Sequence, residues 1–229
     1  MKEEFKIEKK KIIAPLEFTT LNAEQISHLK ERIEKSKGVI RMFMHPFYDK
    51  SYAFKSANNE QTPDSMRQGL KRLVRLPEEK TPPIFIFEEE ENYLNLLEKL
   101  LADLNQDIYI IPTHRDSGRL SLKSHDDVVK YLSNIYESNK RNYQILADKL
   151  ADVGTKEILL GGMSLLIYKN EHPEDTLVKG CVSSPLRLLS TRFPITISHF
   201  THPDKNEFIE IFDRKIYPED NYLWQGNTH

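Results

Sequence analysis

Groups that can move protons follow two of the most apolar runs in the chain. His45 directly follows VIRMFM (39–44), and Glu88 directly follows PIFIF (83–87). An imidazole exchanges protons readily near neutral pH, and a positioned carboxyl acts as a general acid or base. We therefore predict His45 and Glu88 as catalytic residues. The alternatives are a histidine that only bonds a backbone carbonyl at a strand end, and an acidic run (88–91) at a solvated helix N-terminus.

Cys181, the only cysteine in the chain, is the third predicted catalytic residue. The stretch GCVSSP (180–185) predicts a helix N-terminus, where the helix dipole favours a thiolate nucleophile. With His45 as base and the amides of Gly180 or Ser183 around an oxyanion, these residues would suit acyl transfer. The alternative is an inert, buried cysteine, since free cysteine often packs as a small apolar residue.

The predicted substrate-binding residues also follow the apolar runs, and they are Tyr48, Thr113, Arg115, Gly161, Gly162 and Ser183. The guanidinium of Arg115 presents a fork of donors that suits a carboxylate or phosphate. Glycines after a buried run let the backbone approach a ligand closely. A surface loop around Arg115 and a tight turn at the glycines are the alternatives. The glycine pair matches neither a dinucleotide fingerprint nor a P-loop, so we predict no cofactor.

Four histidines near the ends of the apolar runs raise the question of a metal site. They are His45, His114, His199 and His202. None of them lies in a spacing diagnostic of zinc, such as H-E-x-x-H. The sequence therefore assigns no metal-ligating residues, and a site formed by these histidines with a carboxylate stays an open alternative.

The elements that must position these residues alternate along the chain. Strands are predicted over 39–44, 83–87, 107–111, 156–160 and 193–198. Helices are predicted to begin at Asn22, Thr62, Glu91 and Ser124, with shorter ones within 181–191 and over 206–213. Because parallel neighbours need crossover connections, the alternation predicts a three-layer α/β domain with a mostly parallel sheet of about five strands. Ligands bind such sheets at the carboxyl ends of the strands.

The predicted organisation is a charged lead (1–21), a single α/β domain (22–215) and an aromatic, polar tail (216–229). With 33 Lys and Arg against 35 Asp and Glu, the net charge of −2 offers little attraction to nucleic acid or an anionic membrane. One cysteine cannot form an internal disulfide. The apolar stretches are shorter than the ~20 residues of a membrane helix, and the N-terminus lacks a signal-peptide core. We expect a cytoplasmic protein with no nucleic-acid or membrane partner.

Two functions fit this pattern. The first is an enzyme, a hydrolase or transferase acting on a small polar or anionic metabolite, with the long segment 47–61 as a lid. The second is a non-catalytic ligand-binding or protein-interaction domain. It would use the same crevice or the large apolar and aromatic side chains of the tail, which are Tyr217, Tyr222, Leu223 and Trp224. A homo-oligomer fits either function, and no motif is specific enough to assign a family.

Overall fold

The helices and strands of the chain are those of a computed structural model. It describes residues 16–46, 63–89, 104–114, 119–120, 135–162, 165–168, 177–180, 182–204 and 207–218. The helices are α1 (Ala23–Lys35), α2 (Pro63–Val74), α3 (Ile135–Asp152) and α4 (Ser183–Leu189), with 3-10 turns at Phe18–Thr20 and Glu78–Lys80. The strands are β1 (Leu16–Glu17), β2 (Val39–Met44), β3 (Ile84–Glu89), β4 (Ile108–His114), β5 (Arg119–Leu120), β6 (Glu157–Gly162), β7 (Leu165–Tyr168), β8 (Leu177–Gly180), β9 (Ile195–Asp204) and β10 (Glu207–Ile216).

One eight-stranded sheet forms the centre of the fold. Its order is β1-β4-β3-β2-β6-β9-β10, and β5 pairs with β4. All pairings in it are parallel except those of β5 and β10. The strands β7 and β8 form a separate antiparallel pair. The predicted α/β fold with a mostly parallel sheet is therefore confirmed, with a larger sheet than the five strands expected.

The sheet is covered by helices on both faces, which makes three layers. We call one side the α1 face, because Leu29 and Ile33 of α1 pack there, together with α3 and α4, against alternate strand residues such as Ile40 and Met42. We call the other side the α2 face. There Met66 and Leu70 of α2 pack against Phe43, Ile84 and Ile86. These strand residues alternate along their strands with the residues that pack on the α1 face. Buried strands that are apolar on both sides explain the continuous apolar runs in the sequence.

Four strands, β3, β4, β6 and β9, run further toward their carboxyl ends than predicted, and β9 continues to Asp204 instead of ending at 198. Glu88, Thr113 and the pair Gly161–Gly162, all expected just after strands, are the last or nearly the last residues of β3, β4 and β6. Pro112, which directly follows the predicted strand over 107–111, lies inside β4, opposite Glu88. Proline is tolerated at this position because no strand of the described residues pairs with it on the outer side of β4. There β1 pairs only with residues before Pro112, and β5 pairs only with residues after it.

The predicted helix over 206–213 is wrong, since these residues belong largely to β10. Seven registered pairs join β10 to β9, and the pairing overrides an apolar pattern that suits a helix or a strand locally. Other predicted elements lie outside the described residues: the segment 47–61, the helix from Glu91 and the start of the helix from Ser124. In the part of the chain that the structure describes, no helix is long and apolar enough to cross a membrane.

Candidate functional site

The strand order creates one point where the chain changes direction across the sheet. From β2 the chain proceeds to β3 and β4 on one side, and later to β6 and β9 on the other. In open α/β sheets, ligands bind in the crevice at the carboxyl ends of the two strands that flank this point. Here the flanking strands are β2, which is followed by His45, and β6, which ends in Gly161–Gly162. Met44 lies in register with Gly162, so His45 leaves the sheet beside the glycines.

His45 has an unusual backbone conformation for its residue type. Its φ is +48°, in the left-handed region that non-glycine residues rarely adopt. Pro46 follows, and a residue before proline normally prefers an extended conformation. The N–H of His45 donates to the carbonyl of Phe87 over 2.9 Å, so the strained turn is anchored to β3. Strain of this kind costs about 1–3 kcal/mol and is concentrated at functional sites in proteins.

His45 lies beside Glu88, the other predicted acid–base residue. The distance from His45 Nδ1 to Glu88 Oε1 is 3.8 Å, and the side chains are 8% and 0% exposed. The separation is longer than a hydrogen bond but within the range of an ion pair once the imidazole is protonated. An ionised carboxylate out of water is costly unless it has a partner. The imidazole of His45 and the carboxyl group of Glu88 are therefore placed to interact electrostatically out of contact with water.

The amino end of α2 fixes the backbone around this pair. Arg67 Nε donates to the carbonyl of Pro46 over 3.3 Å, and Ser65 Oγ donates to the carbonyl of Phe200 on β9 over 3.0 Å. Strand alternation places Glu88 on the α2 face, because Ile84 and Ile86 of the same strand pack there. The pair consequently lies in the layer that α2 covers.

Gly161 is required by packing on the α2 face. A Cβ atom at this position would lie 3.0 Å from the Ser198 carbonyl oxygen and 3.2 Å from the ring of Phe43. That ring stacks on Phe200, with 6.1 Å between the ring centroids. The structure therefore supplies a packing reason for Gly161. Gly162, the next residue of β6, alternates toward the α1 face.

Two other predicted substrate-binding residues belong to the α1 face. Thr113 lies two residues after Ile111, which packs there, and Ser183 begins α4, whose Leu186 and Leu189 pack there. Thr113 is buried, and its Oγ1 has no hydrogen-bond partner among the described residues. Thr113 and Glu88 thus approach the same edge of the sheet from opposite faces. Tyr48, Arg115 and Cys181 lie outside the described residues.

A second group of titratable side chains lies at the opposite edge of the sheet and has no signature in the sequence. Of the described residues, only His28, Glu78 and Asp107 bring three metal-ligating side chains together. They are separated by 50 and 29 positions along the chain, so no local spacing could reveal them. The histidines considered above for a metal site are not among them.

Comparisons of the chain with protein-family models, with curated proteins and with solved structures find no match. The side chains at the two edges of the sheet are consequently the basis for assigning a function.

Proposed function

We propose that this chain is a cytoplasmic enzyme, a hydrolase or transferase that acts on a small polar or anionic metabolite at the carboxyl ends of β2 and β6. The observation that carries the proposal is the buried His45–Glu88 pair, in which His45 Nδ1 lies 3.8 Å from Glu88 Oε1. The pair is located where the strand order changes direction. The left-handed backbone of His45 supports the proposal, because non-glycine residues in this conformation cluster at active sites and ligand-binding sites.

The pair has the properties that proton transfer needs. The imidazole of His45 would take up or deliver the proton, and the carboxylate of Glu88 would stabilise the imidazolium that forms. Exclusion of water strengthens this electrostatic interaction, as it does in many active sites. Glu88 would then act on the substrate through His45 and orient its ring.

Anchoring of the substrate would come from groups at the same edge. The proposal assigns this to Thr113, whose buried hydroxyl has no partner within the described residues, and to the backbone at Gly162. Arg115 and Tyr48 keep the substrate-binding role that their residue types predict. Ser183 and Cys181 keep the substrate-binding and nucleophilic roles that the sequence predicts for them.

An activity screen over phosphate esters, carboxylate esters and amides tests the proposal. Once an activity is found, His45→Ala and Glu88→Gln should each reduce kcat by about 10²–10⁴-fold, the usual contribution of a positioned acid–base group. His28→Ala is the matched control, because it removes a histidine from the opposite edge and should leave kcat unchanged. Cys181→Ala distinguishes a nucleophilic thiol, which would abolish turnover when removed, from a structural one.

An unchanged kcat in both His45→Ala and Glu88→Gln would show that the enzymatic assignment is wrong. A metabolite that binds to the wild-type protein, is lost from both variants and is never turned over would instead favour a non-catalytic ligand-binding domain.

A further inference from the structure

His28, Glu78 and Asp107 come from three different elements and meet at the amino-terminal edge of the sheet. His28 is in the middle of α1, Glu78 opens the 3-10 turn that precedes β3, and Asp107 directly precedes β4. This edge is opposite to the one that holds His45. Nothing in the proposed enzymatic function uses these three side chains.

The atoms of the three side chains are spaced as ligands of one metal ion would be. His28 Nε2 lies 3.2 Å from Glu78 Oε2 and 3.9 Å from Asp107 Oδ2, and one ligand atom from each residue lies within 4.8 Å of the others. Metal bonds of roughly 2.0–2.2 Å in tetrahedral geometry separate the ligand atoms by about 3.3–3.6 Å. An ion therefore fits among them after small side-chain rotations.

Neighbouring groups orient the Glu78 carboxylate. Glu78 Oε1, the second oxygen of the carboxylate whose Oε2 lies near His28, accepts from the backbone N–H of Asp107 over 3.3 Å and lies 3.6 Å from Arg32 Nη1. Arg32 is buried and is itself fixed, donating to Gln106 Oε1 over 2.9 Å and to the carbonyl of Asp107 over 3.3 Å. Such outer contacts hold metal ligands in position and are typical of metal sites in proteins.

The set also has access to solvent and a suitable charge. His28 and Glu78 line a cavity of about 330 Å³ between α1 and the 3-10 turn, and the His28 side chain is 44% exposed. A hydrated ion can enter there, and water can fill the remaining coordination positions. The two carboxylates supply two negative charges for a divalent cation, and the guanidinium of Arg32, 3.6 Å from Glu78 Oε1, offsets part of this charge.

We propose that His28, Glu78 and Asp107 form a binding site for one divalent transition-metal ion of the Zn²⁺ type, which joins α1 to the starts of β3 and β4. The imidazole selects Zn²⁺ and Co²⁺ over Mg²⁺ and Ca²⁺, which prefer oxygen ligands alone. The ion would replace the direct interaction between His28 and Glu78 and would stabilise the amino-terminal edge of the fold.

Calorimetric titration of the full, untagged chain with ZnCl₂ tests the site, with MgCl₂ as the competing ion. The wild-type protein should bind Zn²⁺ at the site with an affinity that a tenfold excess of Mg²⁺ does not change. His28→Ala, Glu78→Gln and Asp107→Asn should each weaken this binding at least about tenfold. Glu79→Gln is the matched control, because it makes the same change at the neighbouring residue of the same turn and should bind as the wild type does. The wild-type melting temperature should rise with Zn²⁺, and the rise should disappear in His28→Ala.

Equal Zn²⁺ affinity in the wild-type protein and all three ligand variants would overturn the proposal, since the ion would then bind elsewhere. An equal loss in Glu79→Gln would also overturn it, because general surface charge would be the cause. Zinc-edge anomalous diffraction from wild-type crystals provides a test that needs no variant. A peak among the three side chains supports the site, and its absence at saturating Zn²⁺ contradicts it.

Discussion

Two histidine–glutamate pairs among the described residues lie at opposite edges of one sheet, and they differ in exposure, separation and backbone conformation. His45 and Glu88 are buried at the carboxyl edge, 3.8 Å apart, with the histidine in a strained backbone conformation. His28 and Glu78 are partly exposed at the amino edge, 3.2 Å apart, with the histidine in the regular backbone of α1.

The difference shows how the surroundings decide what the same two residue types can do. At the carboxyl edge, low exposure strengthens the electrostatic interaction between the two groups and suits proton transfer. At the amino edge, solvent access and a second carboxylate from Asp107 suit an exchangeable ion. The effect of the surroundings can be tested by substituting the corresponding residue of each pair in the same way and comparing the two variants.

The largest expected effect is on stability when each glutamate is removed. Glu88→Ala should lower the free energy of unfolding by about 3–5 kcal/mol, because it breaks a buried pair and leaves a cavity. Glu78→Ala, in the more exposed pair, should cost about 1 kcal/mol or less without metal. Urea denaturation measures both values. Similar losses in the two variants would show that burial does not distinguish the pairs.

The next effect depends on pH and concerns Tyr109 of β4. The centroid of its ring is 6.0 Å from the guanidinium carbon of Arg32. Burial raises the pKa of Tyr109 to about 12 from its ordinary value of 10.0. The folded protein therefore holds this proton more tightly than the unfolded chain does. The resulting stability is fully present below pH 10 and is lost as the pH rises from about 10 to about 12, by about 2 kcal/mol.

Denaturation at pH 9 and pH 11.5 checks this, with Tyr109→Phe as the test variant. That variant should lose less stability between the two pH values than the wild type does. Tyr217→Phe is the matched control, because Tyr217 is an exposed tyrosine and its loss should leave the pH dependence unchanged. Identical pH profiles for the wild type and Tyr109→Phe would contradict the assignment.

A smaller effect of opposite sign is expected when each histidine is replaced by glycine or alanine. His45→Gly should be more stable than His45→Ala by about 1 kcal/mol, because glycine adopts a positive φ without strain. His28→Gly should be less stable than His28→Ala by a similar amount, because glycine is unfavourable inside a helix. Thermal denaturation of the four variants gives the two differences. The same sign at both positions would mean that His45 is not strained.

The smallest effect is expected at Thr113 of the carboxyl edge. Thr113→Val removes a buried hydroxyl that has no partner among the described residues, so stability should stay the same or rise by up to about 1 kcal/mol. Affinity for the metabolite should fall if that hydroxyl binds it. A clear loss of stability, measured by urea denaturation, would show instead that the hydroxyl has a structural partner.

The fold could largely be predicted from the sequence, because buried parallel strands require continuous apolar runs such as 39–44 and 83–87. The ends of the strands could not, since Pro112 and Gly161–Gly162 look like terminators locally and are accommodated by their neighbours in the sheet. The strand β10 was missed for the same reason, because its state depends on pairing with β9.

The candidate sites divide in the same way. His45 and Glu88 could be named from their positions after apolar runs, although the 3.8 Å between them depends on strand order, and their catalytic role remains a prediction. His28, Glu78 and Asp107 could not be named, because the fold alone brings together residues so distant in the sequence.

Histidine-ring NMR tests most directly whether small molecules bind at the carboxyl edge. The signals of His45 and His28 are assigned with His45→Gln and His28→Gln, and a panel of phosphorylated and carboxylated metabolites is then titrated into the wild-type protein. We expect at least one metabolite to shift the His45 signal saturably and to leave the His28 signal in place. Metabolites that bind without moving the His45 signal, or that move only the His28 signal, would contradict a site at the carboxyl ends of β2 and β6.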